Sequence, residues 1–343
     1  MAMQTTLFLL FVSFAFTRIP KASADACPNS LKKLIVFGDS YLDTGNARRP
    51  FGAWTWPYGV SLGKPSGRYS DGLVWTDYLA KFMGIDTPTP MASVDVLNAT
   101  TTRSGVNIAI GGAGLYATAF MPVSMGVQMS LFKSLMDKGL FNKCDLQNSV
   151  AFISISGNDY GTYARSTFPF EKNASAYAFA LVPQLAADVQ MLHLMGIGKI
   201  AVASLPPLGC LPGNAADFDY PGNCNQTINE VSKIHNDALR AAVDALNLVN
   251  GEKSTAYVDF YRGFSDAMDE HASKARKEYA NPTKRCCAEN GGRCGDIDQD
   301  GKPLYKLCDQ PLESFFFDGA HPAQHGWELV FNALKDEISA LLA

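Results

Sequence analysis

"LIVFGDSYLDTGN", residues 34–46, starts as a strand and turns polar within four residues. Leu34 to Phe37 are apolar, with β-branched Ile35 and Val36 at the centre, the composition of a short buried strand. Gly38, Asp39 and Ser40 follow at once. Asp43, Thr44 and Asn46 then supply side chains that cap or brace a turn. Such a strand delivers a serine to the mouth of a sheet. On these residues alone, a helix N-cap serine is an equally good reading.

Further apolar runs at 150–155, 199–204 and 255–260 repeat the strand pattern. Helical patterns at 73–83, 126–139, 174–196, 226–249 and 322–342 alternate with them. Buried-type strands alternating with amphipathic helices predict a parallel sheet covered on both faces. Ligands of such sheets sit beyond the carboxyl ends of the strands. Three further stretches there carry chemistry. Ser156-Gly157-Asn158-Asp159 ends the 150–155 strand, and its Asn is either turn chemistry or an amide aimed at a developing oxyanion. The run from Asn107 to Gly114 exposes glycine backbone N–H groups. Phe315-Phe316-Phe317, read as strand-like, leads into Asp318-Gly319-Ala320-His321-Pro322. An Asp three residues before a His can accept from Nδ1, leaving Nε2 to take a serine proton.

These four blocks, "FGDSYLDTGN", "NIAIGGAG", "SGND" and "DGAHP", resemble in content and order those of the GDSL-type esterase/lipase family, the SGNH hydrolases. "SGRYSDGLVWTDYLA", "SLPPLGCLPG", "HNDAL" and the cysteines at 286, 287, 294 and 308 resemble the plant secreted branch. The resemblance implies a three-layer α/β/α, flavodoxin-like fold with a central parallel sheet. It implies Ser40 as nucleophile, His321 as general base and Asp318 as its orienting carboxylate. The oxyanion donors would be the N–H groups of Ser40 and Gly112 and the side chain of Asn158, with Gly112 preferred to Gly111 as a matter of register. Asp43 and Asn46 match the first block and read as structural. The implied activity is hydrolysis of small or polymeric carboxylic esters through an acyl-serine, without metal or organic cofactor. Transfer of the acyl group to a lipid or pigment alcohol, and deacetylation of a polysaccharide, use the same residues. A non-catalytic wall-binding protein would not retain both Ser40 and His321.

The bulk numbers agree. The 343 residues are 47% hydrophobic with a formal charge of −4, enough for one large core and without a basic stripe for nucleic acid. Leu7 to Phe16 is apolar but too short to span a bilayer, and Ala22-Ser23-Ala24 offers a small-residue cleavage site. Residues 1–24 therefore read as a secretory signal and 25–343 as a single hydrolase domain, exported and free of transmembrane segments. Sequons at Asn98, Asn173 and Asn225 and an even count of eight cysteines suit that route. Cys210–Cys224, closing a Pro/Gly-rich loop, is the one pairing expected out of 105 possible connectivities. No pattern here specifies an oligomeric state.

Two motifs are decoys on context. Gly59-Val60-Ser61-Leu62-Gly63 matches G-x-S-x-G but lacks the strand before and the helix after. Asp296, Asp298, Asp300 and Gly301 open like an EF-hand loop, yet Leu307 stands where the bidentate Glu belongs. His193, His235, His271 and His325 show no metal-ligand spacing.

Overall fold

The computed structural model describes Cys27, residues 33–47, Arg49 and 52–342, apart from 97, 99, 166–169 and 218. The expected signal segment 1–24 lies outside the described residues. In chain order the strands are β1 (Lys33–Gly38), β2 (Thr89–Pro90), β3 (Gly105–Asn107), β4 (Ser149–Ser154), β5 (Lys199–Ala203), β6 (Thr255–Val258), β7 (Cys287–Glu289) and β8 (Tyr305–Leu307). The helices are α1 (Trp75–Phe82), α2 (Met125–Asp137), α3 (Lys143–Gln147), α4 (Gly157–Ala164), α5 (Phe170–Leu194), α6 (Gln226–Asn250), α7 (Phe260–Lys274) and α8 (Gln324–Leu342).

The first six strands form one parallel sheet in the order β2-β3-β1-β4-β5-β6. Every residue of β1 and β4 is buried, as uninterrupted apolar strands in a doubly covered sheet should be. From β1 the chain crosses one way to β2 and β3, then back past β1 to β4, β5 and β6. Right-handed crossovers put connections that run in opposite directions on opposite faces. Thus α1 lies on one face and α2, α5 and α6 on the other. The packing agrees: α8 joins α1 and α7, while α5 packs on α6 and α2. The chain reverses direction around the carboxyl end of β1, where α/β sheets hold their ligands. The three-layer α/β/α architecture is as expected.

Three differences from the sequence reading have local causes. The run 255–260 is a strand only to Val258, because the Asp259 carboxylate accepts the Arg262 N–H and starts α7. That helix, missed in the sequence, buries Phe260, Phe264, Ala267, Met268 and His271, a clear helical spacing. The 315–317 run is no sheet strand. Its three phenylalanines are buried, and its carbonyls accept the N–H groups of Cys286 and Cys287 instead.

All eight cysteines are paired, as Cys27–Cys144, Cys210–Cys224, Cys286–Cys308 and Cys287–Cys294. The expected 210–224 bridge is among them. Among the described residues no helix is long and apolar enough to cross a membrane.

Candidate active site

Gly38 ends β1 where β4 comes so close that a Cβ would lie 2.2 Å from the Ser154 carbonyl oxygen. Only glycine fits there. Its N–H donates to Gln128 Oε1, and its carbonyl accepts from Gln128 Nε2, both at 2.8 Å. The next residues make one helical turn, with the N–H groups of Leu42 and Asp43 donating to the Asp39 carbonyl. Ser40 is thereby fixed at the sheet mouth. The Ser40 hydroxyl lies 2.8 Å from His321 Nε2, although 281 residues separate them. His321 Nδ1 lies 2.8 Å from each oxygen of Asp318. Because the carboxylate is acceptor only, it holds the proton on Nδ1 and leaves Nε2 as acceptor for the Ser40 hydroxyl.

The carboxylate is itself anchored. Asp318 Oδ1 accepts the N–H groups of Ala320 and His321, and Oδ2 accepts the buried Tyr58 hydroxyl at 2.7 Å. Burial alone would raise the Asp318 pKa, but the His321 charge and these hydrogen bonds outweigh it and carry the group down to about 2. For His321, burial favours the neutral ring. The opposing pull of Asp318, with a smaller one from Asp39, is stronger and leaves its pKa above the ordinary imidazole value.

The groups expected to meet an oxyanion, Gly112 and Asn158, come from the chain beyond the two neighbouring strands, β3 and β4. Beyond β3 the chain keeps pairing with β1, Ile108 N–H on the Val36 carbonyl and Ile110 N–H on that of Gly38. It then turns at Gly112 with φ +84, a conformation suited to glycine. Gly111 N–H donates to the buried Asp43 carboxylate at 2.8 Å. Gly112 N–H and Ser40 N–H donate to no other described residue. Gly111 N–H thus has an acceptor, and Gly112 N–H has none among the described residues. Asn158, in the first turn of α4, gives one amide hydrogen to the Ala113 carbonyl at 3.0 Å and keeps the other. Ser156 before it sits at φ 96 with its buried hydroxyl unpartnered among the described residues, so this strand end is strained.

The profile of the GDSL-like lipase/acylhydrolase family matches residues 34–334, nearly the whole chain. The chain belongs to that family. Two GDSL esterase/lipases of Arabidopsis thaliana are 36% identical over 316 residues (90% of this chain, 88% of the relative) and 39% identical over 320 residues (88% and 85%). Among solved structures, phospholipase A1 from Streptomyces albidoflavus NA297 aligns at TM-score 0.44 and 12% identity, covering 90% of this chain and 99% of its own. Membership makes this chain a carboxylic ester hydrolase of the serine type.

In this GDSL hydrolase the decoys have structural employment. Ser61 sits in a 3-10 turn, Val60–Leu62, and donates to Asp71, whose other oxygen accepts the Gln324 N–H at the start of α8. The Asp298 carboxylate accepts the N–H groups of Asp300 and Lys302, tightening its own loop. Among the described residues no three His, Cys, Asp or Glu side chains group to hold a metal. Asp43 binds the N–H groups of Gly45, Asn46 and Gly111, and Asn46 bridges the carbonyls of Asn107 and Ala109; both brace the turn. Of the aromatic residues near the motifs, Tyr41 packs edge-on to His321, and Tyr160 is buried against His235. Trp54 lies under the Arg49 guanidinium. Sequence reading missed Tyr58, Gln128 and Tyr69, whose ring covers the His321 imidazole at 5.0 Å. Gln128 alone had a signal, a lone amide in the apolar stripe Met125, Met129, Phe132 of α2.

Proposed function

We propose that Ser40 is the nucleophile, His321 the general base and Asp318 the carboxylate that orients it. The hydrogen-bonded line from Ser40 Oγ through His321 to Asp318, beside two unengaged backbone N–H groups, carries this reading. As Ser40 attacks the ester carbonyl, its proton passes to His321 Nε2. The N–H groups of Ser40 and Gly112 and the remaining Asn158 amide hydrogen hold the oxyanion, each such donor lowering the barrier by roughly 3 kcal/mol. The alcohol leaves with the proton from His321. Water then adds to acyl-Ser40, giving one proton to His321, and the free acid departs as that proton returns to Ser40. Each transfer is served by a side chain already in place, so the scheme calls for no cofactor. Water is the acceptor in this scheme; an alcohol entering the same step would make the enzyme an acyltransferase.

Export with cleavage after residue 24, leaving 25–343 as a single domain, belongs to the same proposal. It is supported by four disulfides, which persist in oxidising compartments. Asn98 and Asn225 are exposed sequon residues and Asn173 lies in α5; we assign all three as glycosylation sites.

Ser40→Ala should lower ester turnover on the order of 10⁵-fold or more and abolish fluorophosphonate labelling, with an unchanged circular dichroism spectrum. Ser61→Ala should change neither. A label on Ser61 would overturn the assignment. New ester outpacing free acid, when alcohol is supplied, would overturn the choice of water.

A further inference from the structure

Loop 115–123 leaves the Gly112 turn and reaches α2 with apolar side chains turned outward. Phe120 is 43% exposed and Tyr116 47%. Exposed aromatic residues usually sit on slack surface, but this backbone is tied at every turn. Leu115 and Tyr116 N–H groups donate to the Asp159 carboxylate, and Ala119 N–H donates to the Thr162 hydroxyl. The Thr118 hydroxyl donates to the Gly112 carbonyl at 2.7 Å and accepts from the N–H groups of Phe120 and Met121. A Cβ on Gly112 would lie 3.1 Å from that of Phe120 and 3.2 Å from that of Met121. Phe120 then reaches over α4, its ring 3.2 Å from where a Gly161 Cβ would stand. One rigidly presented phenylalanine thus lies over the Gly112 turn and the helix that carries Asn158, its ring packed on one side by the Arg165 guanidinium at 4.7 Å.

We infer that Phe120 and Met121 form the wall against which the acyl chain lies, and that the substrate class is esters of acyl groups longer than acetyl. This rests on the proposed roles of Ser40 and His321. The leaving oxygen must take its proton from His321, so the alcohol lies on the His321 side. His321 belongs to the loop before α8 and is covered by Tyr69, on the face of α1, α7 and α8. Loop 115–123 joins α2 and α4 on the opposite face. The oxyanion takes the Ser40, Gly112 and Asn158 donors and the leaving oxygen the His321 side, so the acyl substituent takes the remaining direction, away from His321, where Phe120 and Met121 flank the Gly112 turn. Burying its methylenes there raises kcat/KM as the chain lengthens.

The test uses two ester series, one with the acyl chain varied from acetate to octanoate on a constant alcohol, the other with the alcohol varied on acetate. Wild type should favour octanoate over acetate by about tenfold or more. Phe120→Ala should erase most of that preference, Phe120→Leu should keep most of it, and Leu248→Ala, on the far end of α6, should leave it unchanged. Folding is checked by thermal melting. A wild type that prefers acetate overturns the inference. So does a preference that survives both Phe120→Ala and Met121→Ala, or variants that alter the alcohol series alone. Turnover that persists in Ser40→Ala would instead defeat the catalytic reading.

Discussion

Asp318 accepts four donors, and only the Tyr58 hydroxyl comes from outside its own turn. That bond spreads the carboxylate charge over a second partner and fixes the plane from which Asp318 meets His321. In Tyr58→Phe the charge is less satisfied and draws harder on the imidazolium. The His321 pKa therefore rises, and since only the neutral ring accepts a proton, the acid limb of kcat/KM moves to higher pH. Turnover should fall about five- to tenfold, equivalent to ~1 kcal/mol, with the melting temperature nearly unchanged. An acid limb that stays in place would leave Tyr58 a packing residue. Ser40, Asp318 and His321 were legible as candidates because each sits in a short block of distinctive neighbours, and the structure joins them by hydrogen bonds. Tyr58 was not, because its partner is 260 residues away and nothing local distinguishes it from other core tyrosines.

At the scale of elements, the disulfide hairpin of β7 and β8 does more than decorate the surface. The N–H groups of Cys286 and Cys287 donate to the carbonyls of Phe316 and Phe317, one residue before Asp318. Cys308 N–H returns to the Cys286 carbonyl, closing a brace behind the Asp–His turn. Cys286→Ser with Cys308→Ser should release that brace. Turnover should then fall several-fold while the far-ultraviolet spectrum stays that of a folded protein, since the six-stranded sheet does not depend on the hairpin. Equal activity at equal stability would show the hairpin to be an independent appendage. The long helices α5 and α6 were legible from long Ala/Leu-rich runs without internal glycine, while the Asn225 cap of α6 emerged only in the structure. Strand β3, at three residues, offers too little alternation to read, and α7 hid behind an apolar run that Asp259 cuts in two.

For the whole molecule, stability and turnover respond to pH in opposite senses. Burial raises Asp39 to about 7 and Asp43 to about 6, the latter held down in part by three backbone donors. Between about pH 4 and 7 the native state keeps protons that the unfolded chain releases, so these groups make stability fall as pH rises. Asp318, lowered to about 2, contributes in the other direction, its stabilisation fading only as pH drops below about 4. The melting temperature should therefore peak in mild acid, below the pH at which neutral His321 supports full turnover. Asp39→Asn, which can still accept the Tyr41 N–H, should gain on the order of 2 kcal/mol at pH 8 and nothing near pH 4. An equal difference at both pH values would assign the effect to packing. A parallel sheet with two covered faces was legible from alternation alone. The strand order was not, because it depends on which way each crossover turns. On the proposed roles of Ser40 and His321, the order of residues along the chain also sets when the enzyme begins to work. A chain is made from its amino end, and β1 with Ser40 emerges long before the turn that bears His321, 281 residues later. Until that segment docks, the serine proposed as nucleophile has no imidazole beside it. On that reading, the order of synthesis would keep the unfinished chain inert.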